Sequence, residues 1–245
     1  MTTDTPADFD PVAVLEQIDA ATEHLLQTAS RFAESDVRAP SLLPNWSRGH
    51  VLTHLARNAD GGHRLLMWAR TGVETSEYPS LTARDEEIEN GAGRSADALV
   101  ADLRDSAAQF AAQYRRMTTE AWNRKVRWTR GQELPAARAA DSRLCEVLVH
   151  HVDLNAGYTP VQWPSHFVHD MLDRVVKSFS ARENAPAMRL HATDTDTWYR
   201  ISDDQPAPEI HGAESSLLSW LMGRSPGNDL AVEDYRALPS PPFLY

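Results

Sequence analysis

The chain has 245 residues, 42% of them hydrophobic, which suits one large domain or two modest ones with ample material for a core. Its 35 acidic against 24 basic side chains give a net charge of −11, the opposite of the basic stripe that marks a nucleic-acid partner, and a single cysteine, Cys145, excludes both an internal disulfide and a multi-cysteine zinc site. No apolar run approaches a membrane span and residues 1–10 lack the charged-then-apolar order of a secretory leader, so the expectation is a cytoplasmic protein with no membrane partner.

Residues 10–35 repeat apolar positions at helical spacing, with Val12, Leu15, Ile18, Leu25 and Leu26 among them, and predict a first helix. "RAPSLLPNWS" interrupts it with two prolines, and Ser47 is placed to cap a second helix, "RGHVLTHLARNADGGHRLLMWAR", which Gly72 ends. "YPSLTARDEEIENGAGRS" reads as a loop around a short helix, and 95–118 as a third long helix. "VRWTRGQELPAA" reads as an extended or irregular excursion. A fourth helix runs from about Ala140 to Asn155 and stops at Gly157 and Pro160. Four helices so connected predict a four-helix bundle. After Pro164 the pattern changes. An amphipathic helix, "SHFVHDMLDRVVKSFSARE", precedes two alternating segments, "MRLHATD" and "TWYRISD", a possible third strand in "PEIHG" and a last helix, "AESSLLSWLMG". The expected fold is therefore mainly α with a small α+β part.

The segment "RLCEVLVHHVDL" sets titratable groups among apolar ones. Glu146 and His150 stand four apart, so on a helix they share one face. Zinc takes both ligand types and commonly three protein ligands when it does chemistry, so a third ligand must come from another helix. His54, between Val51, Leu55 and Asn58, faces the bundle best, and His50 one turn earlier competes with it. A helix turns about 100° per residue, so His151 points away from His150, and Cys145 is likewise turned from Glu146. Asp153 can accept a hydrogen bond from a ligand histidine or simply be solvated, and spacing favours neither. His166, His169, His191 and His211 have no partner at ligand spacing and read as structural or surface residues.

The stretches "LLPNWSRGHVLTHLARNA", "GQELPAARAADSRLCEVLVHHVDL" and "LLSWLMGR" together resemble the mycothiol-dependent maleylpyruvate isomerase family. The resemblance covers nearly the whole chain and rests on a W-S-x-x-H-V-x-x-H block and an E-x-x-x-H-x-x-D block. It implies a DinB-like four-helix metal-binding domain over 1–160 and a small α/β C-terminal domain over 161–245. Carried over by position, it implies that His54, Glu146 and His150 bind a divalent metal, usually zinc, at the base of a pocket. It also assigns functional roles to Arg84, in "SLTARDEEI", and Arg224, in "MGRSPG". Between about Phe167 and Ile210 the likeness is too weak to transfer substrate contacts.

The chemistry implied is a cis–trans isomerisation of maleylpyruvate to fumarylpyruvate, in aromatic-acid breakdown through gentisate, with mycothiol as thiol and a small dicarboxylate as substrate. A zinc with an open position lowers a thiol's pKa, so the thiolate exists near neutral pH. Its addition to the conjugated double bond leaves an enolate and a rotatable single bond, and its expulsion after rotation gives the trans isomer. Arg84 and Arg224 suit the two carboxylates, because guanidinium forks bind them bidentately, and one can stabilise the enolate oxygen. A metal and two arginines would make the pocket positive on an acidic body. A thiol S-transferase sharing the metal triad is the nearest alternative, although neutral electrophiles would not need two carboxylate anchors. A metal-stabilised binding module is the non-enzymatic one. A metallohydrolase would need a further carboxylate as general base, and none is evident.

Overall fold

Asp10 opens the first helix, α1 (Pro11–Ala29): its carboxylate accepts from the backbone N–H of Val12 and Ala13, and Pro11 takes the first helical position. The computed structural model describes residues 9–183, 185–202, 207–233 and 237–241. The helix does not run on to residue 35. It ends at Ala29, and a separate short helix, α2 (Glu34–Arg38), begins after Ala33, whose N–H is taken by the Asp36 carboxylate at 2.8 Å.

Ser47 caps α3 (Arg48–Thr71), and Gly72 ends it in the left-handed region at φ 76°, a conformation that costs glycine nothing. The segment read as a loop around a short helix contains α4 (Leu81–Ala92), three full turns capped by Ser80. Next come α5 (Ala96–Tyr114), capped by Ser95, and the short α6 (Thr119–Asn123). The excursion before the fourth long helix is a hairpin, in which β1 (Lys125–Arg127) pairs antiparallel with β2 (Glu133–Pro135). Then follows α7 (Ala137–Asp153).

Long helices α1, α3, α5 and α7 make the bundle, with α3 packed on both α5 and α7 and α1 on both α7 and α5. Their apolar stripes meet in one core, including Leu25, Val51, Leu52, Leu55, Leu99, Leu103, Val147 and Leu154. Arg48, at the start of α3, donates from Nε to the Leu154 carbonyl at 2.7 Å and from Nη2 to that of Asn155 at 2.7 Å, which satisfies carbonyls that the end of α7 leaves open. Where α3 crosses the end of α4 there is room only for glycine. A Cβ on Gly49 would lie 2.5 Å from the Ala92 carbonyl oxygen, and Arg38 donates to the carbonyls of Ala92, Gly93 and Arg94 at 2.8–2.9 Å.

The chain divides between Ala156 and Gly157 into two compact units. In the second, α8 (Ser165–Ser180) precedes β3 (Met188–Ala192), β4 (Thr197–Ile201), β5 (Glu209–Gly212), α9 (Glu214–Leu221) and β6 (Ala231–Val232). The sheet order is β4-β3-β5-β6, with β3 antiparallel to β4 but parallel to β5, and β5 antiparallel to β6. Met188, Leu190, Ala192, Ile201 and Ile210 are buried, and α8 and α9 pack against these strands. Alternation then puts Arg189, His191, Trp198, Glu209 and His211 on the opposite face. The fold is mainly α with a small α+β part, and no described helix is long and apolar enough to cross a membrane.

Leu55 lies wholly inside the bundle core. Truncating it to alanine is expected to lower unfolding free energy by about 2–5 kcal/mol, the range for a buried leucine whose cavity only partly collapses. Urea melts of wild type and Leu55→Ala read this directly.

Candidate metal centre

Glu146 and His150 project from one face of α7, and His54 meets them from α3. The His54 Nε2 lies 2.7 Å from Glu146 Oε2 and 3.1 Å from His150 Nε2, and the His150 Nε2 is 3.2 Å from the same carboxylate oxygen. These three form a group whose ligand atoms all converge, the only such set of three or more among the described residues. Ligands about 2.0–2.2 Å from a tetrahedral zinc stand roughly 3.3–3.6 Å apart, so the observed triangle needs only a small expansion to surround an ion. Two imidazoles and a carboxylate are also a donor set that zinc accepts. The residues fit a divalent metal.

The surroundings hold these side chains in place. Asp153 is buried, and the Nδ1–H of His150 donates to its Oδ2 at 2.7 Å, which aims Nε2 at Glu146 and His54. Of the two roles left open for Asp153 by spacing, the structure shows the hydrogen-bonded one. Arg143, one turn before Glu146 and fully buried, donates to the Leu55 carbonyl at 2.8 Å and to Asn58 Oδ1 at 2.9 Å, tying α7 to α3. Burial lowers its pKa to about 10, so it remains charged at neutral pH.

Burial is the largest influence on His54 and lowers its pKa to about 4, against the pull of Glu146. Burial also opposes a charge on His150, yet hydrogen bonds to Asp153 and Glu146 outweigh it and raise the pKa to about 9. Burial would raise Glu146, but its charge interactions and hydrogen bonds with the two histidines hold it well below the usual carboxylate range. The protein groups by themselves therefore keep one proton on His150 beside an ionised Glu146, with His54 neutral.

Arg84, on the first turn of α4, reaches the centre: its Nη2 donates to His54 Nδ1 at 3.1 Å and its Nη1 to Asp85 at 2.7 Å. Its guanidinium also stands 6.0 Å from the ring centre of Tyr78, a buried side chain that the sequence did not single out. Trp46, which opens the W-S-x-x-H-V-x-x-H block, is a neighbour as well, its ring 5.6 Å from that of His54. His50 does not join the triangle; its Nδ1 is 2.7 Å from Ser47 Oγ and its Nε2 3.2 Å from Glu89. His151 points away, onto Thr28 Oγ1 at 2.8 Å and the ring of His24. Cys145 is half-buried outside the group. Arg224 belongs to the second unit, where it follows Gly223 (φ 70°) after α9, half-buried, with its Nη1 donating to the Met222 carbonyl at 2.8 Å. Other histidines do have partners, from other elements: His169 Nδ1 lies 2.9 Å from Glu214, and His191 Nδ1 3.2 Å from His211 Nδ1.

Residues 18–155 match the family model of the mycothiol maleylpyruvate isomerase N-terminal domain, a span that includes His54, Arg84, Glu146 and His150. Among solved structures, the crystal structure of the mycothiol-dependent maleylpyruvate isomerase superposes with a TM-score of 0.91 at 27% identity, covering 100% of both chains. That of a histidine-to-alanine mutant of a mycothiol-dependent maleylpyruvate isomerase does so with a TM-score of 0.91 at 26% identity, again over 100% of both. No curated protein matches the chain.

Because the folded pKa of His150, about 9, lies above its ordinary 6.5, its contribution to stability is complete below 6.5 and is lost as pH rises through 9. Asp153→Asn removes the strongest raising partner. In metal-stripped protein, an NMR titration of the His150 ring is expected to move from about 9 towards 6.5 in that variant. An unmoved titration would show that Asp153 does not hold the proton.

Proposed function

The chain belongs to the mycothiol maleylpyruvate isomerase N-terminal domain family, and on that footing we propose that it is a zinc-dependent, mycothiol-using isomerase converting maleylpyruvate to fumarylpyruvate. The observation that carries this reading is the convergence of His54, Glu146 and His150 in a chain that aligns end to end with an isomerase of that activity. The reading has the enzyme work in the cytoplasm on a small dianion, and the net charge of −11 supports a partner other than nucleic acid.

His54, Glu146 and His150 would hold the metal. When bound there it supplies a Lewis-acid position at which a thiol loses its proton near neutral pH. Asp153 takes the Nδ1–H of His150 and so turns its Nε2 inward, and burial keeps His54 neutral; a metal on His54 Nε2 would require that ring's proton on Nδ1, which would release the Arg84 guanidinium from Nδ1. Glu146 is ionised before any metal arrives, so its carboxylate is ready to bind and the proton that a cation has to displace is the one on His150. Arg84 stands one hydrogen bond from His54, close enough for its guanidinium to take a substrate carboxylate and to stabilise the enolate oxygen that forms when a thiolate adds to the double bond. Arg224 is assigned to the second carboxylate on the strength of the "MGRSPG" context.

Maleylpyruvate absorbance is expected to fall only when mycothiol is added, and His54→Ala or thorough chelation should cut the rate by more than about a hundredfold, beyond the effect of losing a residue behind the ligands. Full-rate isomerisation by thiol-free, metal-stripped protein removes the reading. Accumulation of a substrate–mycothiol conjugate would instead indicate an S-transferase.

Arg84→Ala is expected to lower kcat/KM by roughly ten- to 150-fold, corresponding to about 1.5–3 kcal/mol for a hydrogen bond to a charged group. Arg84→Lys, which keeps the charge without the fork, should recover only part of that.

A further inference from the structure

We propose that His191 and His211 form a second metal site, taking one divalent late-transition-metal ion such as Cu2+ on the open face of the small sheet. The two histidines are register partners on the parallel strands β3 and β5. Their alternation with Leu190, Ala192 and Ile210, which are buried under the helices, sets both rings on the other face of the sheet. Both are half-buried rather than sealed, and their neighbour Trp198 is 45% exposed, so an ion reaches the pair from solvent.

The geometry suits a shared ion. His191 Nδ1 and His211 Nδ1 are 3.2 Å apart with the rings at 90°. Imidazole nitrogens about 2.0–2.1 Å from one ion, at angles between a right angle and the tetrahedral value, stand about 2.8–3.4 Å apart. The other nitrogen of His191, Nε2, lies 2.8 Å from Asp196 Oδ1. A carboxylate there takes the Nε2–H and leaves a lone pair on Nδ1, the arrangement behind many metal-bound imidazoles. Trp198, opposite His191 on β4, stacks on its ring at 4.4 Å and 11°, which restrains that ring. Arg189 lies on the same face, but it pairs with Glu209 and so does not oppose a cation with an unbalanced charge.

Two imidazoles from rigid strands, with water completing the shell, give the tetragonal nitrogen–oxygen set that Cu2+ prefers, and Cu2+ heads the affinity order for such ligands. The bound ion would brace β3 to β5. The simpler account of the same contact is a hydrogen bond from His211 Nδ1–H to His191 Nδ1, and the two accounts differ in what they predict for metal uptake.

The full chain carrying His54→Ala, which leaves the first centre a single imidazole and so no two-nitrogen copper of its own, is titrated with Cu2+, and its stoichiometry is compared with that after adding His191→Asn or His211→Asn. The His54→Ala protein is expected to take up one equivalent more than either double variant. Its low-temperature EPR spectrum should contain a copper species split by two equivalent nitrogens that both double variants lack. Equal uptake in all three proteins, whether through other histidines or none, overturns the site, and so does the absence of that two-nitrogen species from the His54→Ala protein. That spectrum decides the matter even if a double variant fails to fold.

Discussion

The site depends on α3 and α7 staying in register. His54 comes from one helix and Glu146 and His150 from the other, so a slide of one helical step, about 1.5 Å, would open the triangle. Two arginines oppose that slide. Arg143 reaches from α7 to the Leu55 carbonyl and Asn58 on α3, while Arg48 reaches from α3 to the last carbonyls of α7. Between these polar ties Val51, Leu52, Leu55, Val147 and Leu154 fill the shared core. The buried charge of Arg143 lies one turn from Glu146, so the tie that sets register also tempers the site's negative charge.

The site's electrostatics follow from that placement. Three buried titratable groups reach different states. Burial wins at His54, which stays neutral despite the pull of Glu146, whereas at His150 the hydrogen bonds to Asp153 and Glu146 outweigh burial and keep the imidazolium. Glu146 lies between the two and is ionised. A metal replacing the proton of His150 would encounter a carboxylate already charged and an imidazole already neutral.

Much of the bundle was legible because its signals are local. Ser47 and Gly72 bracket α3, the Glu146–His150 spacing needs only helical geometry, and both features appear in the structure as read. The gap after Ala29 had no proline or glycine to announce it; what starts the next helix is the Asp36 side chain turned back on Ala33. The α4 segment reads as a loop around no more than a short helix because its acidic residues and glycines carry little apolar periodicity, and among its described residues only Ile88 and Ala92 are buried. A two-residue strand such as β6 has no period to detect. The company of His54 was partly hidden for a related reason. Arg84 was placed by likeness rather than by spacing, and Tyr78 and Trp46 reach the site from loops whose paths no pattern specifies. The pairing of His191 with His211 joins positions twenty apart on parallel strands, a separation outside any helical or hairpin rule.

The tight crossing at Gly49 bears on more than packing. With the Ala92 carbonyl pressed to within 2.5 Å of where a side chain would begin, and Arg38 gripping the same end, the far tip of α4 is clamped while its near tip carries Arg84. The helix thus works as a short lever pivoted at its tail, and the reach of the guanidinium is set three turns from where it acts. A substitution at position 38 or 49 would therefore disturb the placement of Arg84, although neither residue approaches the reacting atoms.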